Sequence, residues 1–378
     1  MNTEGRILIA GGGIGGLALA RALSRIGREC VVFERARELR EVGAGLVIQA
    51  GAMRALQHLD LAQEVIAEGH ELRLGLGLTD DGRLLQETRL DQLGAPSIAL
   101  HRARLHAVLQ KSLAPGVIRT GANVARVEQD AAGVTVTLAD GTEERGALLV
   151  GADGLRSAVR RELLGDSPLR YAGYTSFRGI ARDSELVPAH QAAELWGRGA
   201  RFGYVRISAI ETYWFAVLNA PEGAVPRGFG AEERARFAAF ASPANALIEA
   251  TPPEAVLFAD IFDRPPVPHW SVGRVTLLGD AAHPTTPNLG QGACMAIEDA
   301  VILAHQLAHA KDHTAALSEY ERRRVEHTAK IVKASFTFGR IAQLEGRLST
   351  WTRNFLMKST PKSVVEKQLR EAAAFSLE

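Results

Sequence analysis

Only two cysteines occur in 378 residues, Cys30 in an apolar stretch and Cys294 in a glycine-rich one. They lack metal-ligand spacing, so no metal site is expected, and they read as thiols rather than a disulfide. No run approaches the ~18–20 consecutive apolar residues of a membrane span. The N-terminus has no basic segment and cleavage site of the secretory kind. A formal charge of +1 gives no reason to expect nucleic acid or an anionic membrane as partner. Internal repeats and low-complexity linkers are absent. What remains is an expected cytoplasmic globular protein, 46% apolar and 23% charged, with material for two domains or one large one.

The most informative stretch is the first thirty-four residues. Arg6-Ile7-Leu8-Ile9-Ala10 is a short apolar run, Gly11-Gly12-Gly13-Ile14-Gly15-Gly16 follows at once, and Leu17 to Leu23 has helical periodicity. Cys30-Val31-Val32-Phe33 is a second apolar strand, closed by Glu34. Gly11 permits the tight turn, Gly13 admits a pyrophosphate to the backbone, and Gly16 lets helix and strand pack closely. The helix N-terminus offers unpaired N–H groups to phosphates. Glu34, eighteen residues past Gly16, is placed to accept from a ribose hydroxyl. A dinucleotide is expected here; the stretch alone does not separate NAD from FAD.

Farther along, residues 71 to 100 alternate apolar and polar, and His101-Arg102 opens an amphipathic helix. Val124 to Leu138 reads as a β-meander. Ala147-Leu148-Leu149-Val150 runs into Gly151-Ala152-Asp153-Gly154, and Val275-Thr276-Leu277-Leu278 into Gly279-Asp280. A long helix is expected from near Cys294 through Leu307. The charged run Glu319 to His327 reads as a solvated face. The expected fold is α/β. A Rossmann-like dinucleotide domain comprises 1–70, 99–169 and 273–340, a mostly antiparallel substrate domain comprises 71–98 and 170–272, and C-terminal helices fill 341–378. Three glycine-acid turns, each after an apolar strand, converge on one long ligand if the strands share a parallel sheet, because ligands bind beyond strand carboxyl ends. FAD is long enough, and its ribityl hydroxyls suit Asp280.

The sequence resembles the single-component, FAD-dependent aromatic hydroxylases, the group A flavoprotein monooxygenases. The resemblance covers nearly the whole chain. It rests on Gly11–Gly16 with Glu34-Arg35, His101-Arg102-x-x-Leu105, Gly151-Ala152-Asp153-Gly154-x-x-Ser157-x-x-Arg160, and Gly279-Asp280-Ala281-Ala282-His283-Pro284, continuing through Gly290-Gln291-Gly292-Ala293 and Glu298-Asp299-Ala300. It implies a GR2-type FAD-binding fold with tightly bound FAD. The backbone around Gly15 would hold the pyrophosphate, Glu34 the adenosine ribose, with Arg35 and Val124 on the adenine side. Arg102 would reach the phosphate or ribityl region, Asp280 a ribityl hydroxyl, and the N–H groups of Gly292 and Ala293 the flavin ring. Val47 would lie beside that ring, with Pro284 and Pro287 over its reactive face. Asp153 and Arg160 are linked in the family to FAD and to transient NAD(P)H contact. The implied reaction is hydroxylation of an aromatic or heteroaromatic molecule by NAD(P)H and O2 through a flavin C4a-hydroperoxide.

On the substrate side, Tyr213 and Phe215 are two apart on a strand and face one way. Arg201, in a strand-like stretch, suits a substrate carboxylate or enolate, its alternative being an ordinary surface charge. His283 follows the Gly-Asp turn and is more simply structural. Where some relatives place a histidine beside the flavin this chain has Val47, which suits a more apolar substrate. Alternatives are epoxidation of an isoprenoid or polyketide, to which Asn219-Ala220-Pro221-Glu222-Gly223 bears a short likeness, and a non-catalytic flavin-binding redox module. A monomer or homodimer is expected.

Overall fold

The computed structural model describes residues 5–39, 43–183, 185–224 and 229–377. Its first layer is a six-stranded sheet in the order Ser271–Val272, Val275–Leu277, Leu148–Gly151, Ile7–Ala10, Cys30–Glu34, Ile118–Thr120. All pairings are parallel except that of the short outer Ser271–Val272 strand. The three apolar runs that precede the glycine turns are buried throughout. Continuous burial is what a parallel sheet covered on both faces requires. Their parallel register brings Ala10, Gly151 and Leu277 to the same sheet end, so the three turns emerge together.

Two small antiparallel sheets flank this layer. One is the meander Val124–Gln129, Val134–Leu138, Glu143–Gly146; the other orders Gly45–Ile48, Ser97–His101 and His70–Leu72. A seven-stranded sheet forms the second body, in the order Leu257–Asp263, Arg170–Ala181, Thr212–Asn219, Ala200–Arg206, Gln191–Trp196, Leu74–Thr79, Leu84–Arg89. It is antiparallel except where Gln191–Trp196 meets Leu74–Thr79. Strand alternation sorts its aromatics. Phe177, Phe202 and Trp214 fill one core with Phe229 and Phe237, while Tyr213 and Phe215 project from the opposite face.

The Gly292–His309 helix packs on the Ile14–Arg25 helix, and the 30-residue His313–Ala342 helix crosses from one body to the other. At 1.5 Å per residue it spans about 45 Å. Its charged segment departs from a simple solvated face. Arg322 and Arg323 pair with Glu319 at the surface, but Tyr320 and Arg324 point inward and are buried. Two carboxylates on the neighbouring helix make burial of that arginine tolerable. Both cysteines are free thiols. Two further helices, Arg347–Ser359 and Lys362–Ala372, close the described chain.

Candidate cofactor and active site

The glycines of the first turn divide their work as their spacing predicts. Gly11 has φ +105°, and a Cβ there would lie 2.4 Å from the Ala152 carbonyl oxygen. A Cβ at Gly16 would lie 2.0 Å from the Gly11 oxygen, whereas one at Gly13 meets nothing within 4 Å. Gly13 caps the Ile14–Arg25 helix with no side chain over the N–H groups. The turn therefore presents open space and bare donors, a fit for a pyrophosphate. Gly15 faces Leu278 and Ala296 instead, so its lack of a side chain serves packing. The Glu34 carboxylate accepts from the Gly12 N–H (2.8 Å) and the Ala36 N–H (2.8 Å). Those bonds leave lone pairs for hydroxyl donors. His106, which the sequence did not single out, meets the Gly12 carbonyl at 2.7 Å. Gly121 and Ala122 donate to the Ala36 and Glu34 carbonyls. That clamp holds the segment leading into the Val124–Gln129 strand, and Arg35 lies exposed beside Glu34.

The second and third turns are tied to one another. Asp153 Oδ1 accepts from Ser157 Oγ (2.5 Å) and its Oδ2 from the Ala158 and Val159 N–H groups (2.7 and 3.2 Å) at the start of the Ala158–Leu164 helix. Arg160 Nη1 donates to the carbonyls of Ala281 (2.9 Å) and Ala282 (2.7 Å). Beneath the third turn lies a buried ion network. Asp299 accepts from the Gly279 N–H (3.0 Å), His283 Nε2 (2.6 Å) and Arg324 Nε (2.6 Å). Arg324 also donates to Glu298 (3.0 Å). Burial alone would raise the Asp299 carboxyl, but His283 and Arg324 hold it well below the usual range. Glu298 goes the other way: burial pushes it up to about 7, against the pull of Arg324. His283 is thus structural, holding the turn that carries Asp280.

Asp280 reaches the surface, as does Arg102; the packing around the Asp280 carboxyl raises it, against the pull of His283 and Arg102. Arg102 makes no side-chain hydrogen bond with a described residue, and its backbone N–H is held by the Ala44 carbonyl (3.0 Å). Asp280 Oδ1 would be 3.8 Å from a Cβ built on Gly292. Gly292 opens an 18-residue helix that has no side-chain cap, so its first N–H groups, with that of Ala293, stand beside Asp280. Gln49 braces this corner by donating to the Leu289 carbonyl (2.8 Å) and accepting from Gln291 (2.6 Å). Open donors, an exposed carboxylate and a guanidinium with no side-chain partner among the described residues are what a phosphorylated, hydroxyl-rich, ring-ended ligand needs.

The wall facing this corner is apolar. Val47 packs with Leu72, Ala99, Val205, Ile207 and Tyr213. The Tyr213 ring rests on Gly45, where a Cβ would lie 2.4 Å from its Cγ, and Phe215 lies 6.2 Å from Tyr213 between ring centroids. Burial raises the Tyr213 hydroxyl while nearby Arg178 pulls it down. Arg178, half-buried and with no side-chain hydrogen-bond partner among the described residues, escaped sequence reasoning because nothing in its local pattern distinguishes it. Two expectations are corrected. Pro284 is buried, so only Pro287 presents a surface. Arg201 is no surface charge: it is 2% exposed, donating to Gln343 (2.9 Å), Glu194 (2.8 Å) and Asn288 (2.8 Å). Asn288 in turn donates to the Tyr174 hydroxyl (2.8 Å) and the Ser335 carbonyl (2.8 Å), so Arg201 anchors the loop that bears Pro287. On the outer side of the second turn, a cleft of about 310 Å³ is lined by Arg156, Arg160, Arg161 and Arg264. Among the described residues no cluster of histidine, cysteine and carboxylates is arranged for a metal.

Comparison with known proteins agrees with this geometry. The family model described as FAD binding domain matches residues 4–335. The chain is 43% identical over 381 residues to aurachin C monooxygenase/isomerase of Stigmatella aurantiaca, covering 100% of both chains. It is 36% identical to 2-heptyl-3-hydroxy-4(1H)-quinolone synthase of Pseudomonas aeruginosa, covering 94% of each. Among solved structures, HpxO of Klebsiella pneumoniae complexed with FAD and uric acid superposes with a TM-score of 0.90 at 30% identity, covering 97% of this chain and 96% of that one.

Proposed function

The chain belongs to the FAD-binding family of flavin-dependent aromatic monooxygenases, and from that premise we propose that it hydroxylates a neutral heteroaromatic ring bearing an apolar tail. Electrons come from NAD(P)H and the oxygen atom from O2, on a single polypeptide. The bound FAD supplies the redox chemistry and the activation of O2. The protein's own residues bind, orient and shield. Gly13 and the open helix N-terminus hold the pyrophosphate, Glu34 the adenosine ribose, Arg102 and Asp280 the ribityl end. The N–H groups of Gly292 and Ala293 would face the flavin ring from a helix N-terminus, where negative charge is favoured. NAD(P)H, with no second glycine fingerprint to hold it, visits; the four-arginine cleft suits its phosphates.

The observation that carries the substrate reading is the character of the wall. Val47, Leu72, Ala99, Val205 and Ile207 form an apolar surface, and every nitrogen of Arg201 is already committed to protein. Arg201 is thus not offered to a substrate carboxylate, and a bicyclic carbonyl compound finds apolar contact with this wall and one guanidinium, Arg178, for its oxygen. Tyr213 keeps its proton and acts as a donor rather than a base. Two of the relatives are quinolone or aurachin enzymes by name, which supports this class. The test is NADH and NADPH oxidation in air by the FAD-loaded protein with 2-alkyl-4-quinolones, phenolic acids, urate and polyenes. A quinolone that accelerates oxidation and gains one oxygen atom is expected. Oxygenation of polyenes alone would replace this reading with epoxidation, and no acceleration by any compound would leave a redox module.

A further inference from the structure

The Arg347–Ser359 helix is amphipathic in reverse. Its polar side is buried: Arg353, 3% exposed, donates to the carbonyls of Ala342 (2.8 Å) and Gly197 (3.1 Å), with its guanidinium 5.3 Å from the Trp196 ring centroid. Met357 completes this attachment against Leu85, Trp196 and Phe338. The outward side carries Leu348, Trp351, Phe355 and Leu356, which are 76%, 64%, 57% and 59% exposed. Trp351 and Phe355 stack at 5.7 Å and 12°. At 3.6 residues per turn these four share one stripe, and Arg347 and Lys358 fall at a common position along its edge.

The stripe is not a core face left over, because the helix is already fastened by its other side. Soluble surfaces seldom keep a contiguous apolar patch of this kind without a partner. Its electrostatic setting identifies one. Apart from the buried Arg353, the two helices Arg347–Ser359 and Lys362–Ala372 carry five basic residues, all exposed, and two acidic ones, while the whole chain carries only +1. Lys362 and Lys367 face Glu87 and Glu371 in exposed pairs, which are weak and screened. An aromatic-aliphatic stripe with a cationic border matches a helix lying in the plane of an anionic bilayer.

We propose that this face docks the enzyme onto an anionic lipid surface, with Trp351 and Phe355 at the headgroup boundary. The attachment lies in the plane: among the described residues no helix is long and apolar enough to cross a membrane. Docking rests on the stripe and its charge, not on the substrate reading, though an alkyl-tailed substrate would be met where it partitions.

Trp196, Trp214 and Trp270 are 3%, 0% and 1% exposed, so Trp351 is the one tryptophan whose emission follows the surface. The FAD-loaded protein is mixed with phosphatidylcholine vesicles with and without phosphatidylglycerol, and emission, acrylamide quenching and co-sedimentation are read. A blue shift and protection of Trp351 are expected with the anionic vesicles, with partitioning at least tenfold weaker onto neutral ones. The Leu348→Asp/Phe355→Asp variant keeps Trp351 and its flavin content but partitions at least tenfold less. Absence of any shift with anionic vesicles overturns the proposal. So does a dimer, by sedimentation velocity, in which Trp351 is already shielded, since a second copy then owns the face. Vesicle binding is read without turnover, so its failure and failure of the substrate assay are separate results.

Discussion

One chemical change made at two glycines three residues apart should split stability from cofactor binding. In Gly13→Ala the new Cβ meets no protein atom within 4 Å, and the backbone at φ −75°, ψ −177° suits alanine. The FAD-free protein should lose no more than about 1 kcal/mol, the loss of a glycine N-cap. The methyl instead occupies the space through which a phosphate approaches. Loss of one charge-assisted hydrogen bond, about 1.5–3 kcal/mol, corresponds to FAD affinity roughly 10–150-fold weaker. In Gly16→Ala the Cβ would lie 2.0 Å from the Gly11 oxygen, so helix and turn must separate by about 1 Å. Overpacking of that kind costs about 1–3 kcal/mol or more, and it falls on the FAD-free protein. Urea unfolding of both FAD-free variants, with FAD titration by fluorescence, reads the two quantities apart. Equal destabilisation by both substitutions, or wild-type FAD affinity in Gly13→Ala, would refute the division of labour.

The remaining predictions concern the buried network. Asp299→Asn removes the charge from three hydrogen bonds and leaves Arg324 with one carboxylate; a loss of about 3–5 kcal/mol is expected in denaturant unfolding, together with weaker flavin binding because the Asp280 turn loses its anchor. A loss under about 1 kcal/mol would show that the network is not holding the turn. Glu298, raised to about 7 from an ordinary 4.5, makes the native state bind more protons than the unfolded chain between those values. Stability should therefore fall as pH rises through that window and level off above it, and Glu298→Gln should flatten the slope; an unchanged slope would remove Glu298 as its source. Asp299, shifted the opposite way, contributes stability above the ordinary carboxylate range that is lost only in strong acid. Arg102→Ala should leave the protein folded with reduced flavin occupancy, read by absorbance of the purified protein, and full occupancy would count against its assigned place.

The cofactor site was legible because its signals are local. A strand, a glycine turn, a helix and an acid lie within thirty-four residues, and alternation and turn chemistry mark the other strands, so the sequence alone determined the Rossmann-like half and the three turns that emerge at one sheet end. The sequence by itself also determined that Tyr213 and Phe215 share a face, since strand geometry leaves no choice. Only the tertiary structure decided what long-range contacts decide. Arg201 is paired with Glu194 and held by the amide oxygens of Gln343 and Asn288, 142 and 87 residues away, and Arg324 is drawn inward by carboxylates on another helix. Strand pairing that no local pattern encodes sets Arg178 near Tyr213, with no side-chain partner among the described residues. The Arg347–Ser359 helix makes the same point at the surface. Periodicity reveals that a helix has an apolar and a polar side, but the sides are equivalent until packing chooses. Here Arg353 found buried carbonyl acceptors and took the inner position, which left Trp351 and Phe355 in water.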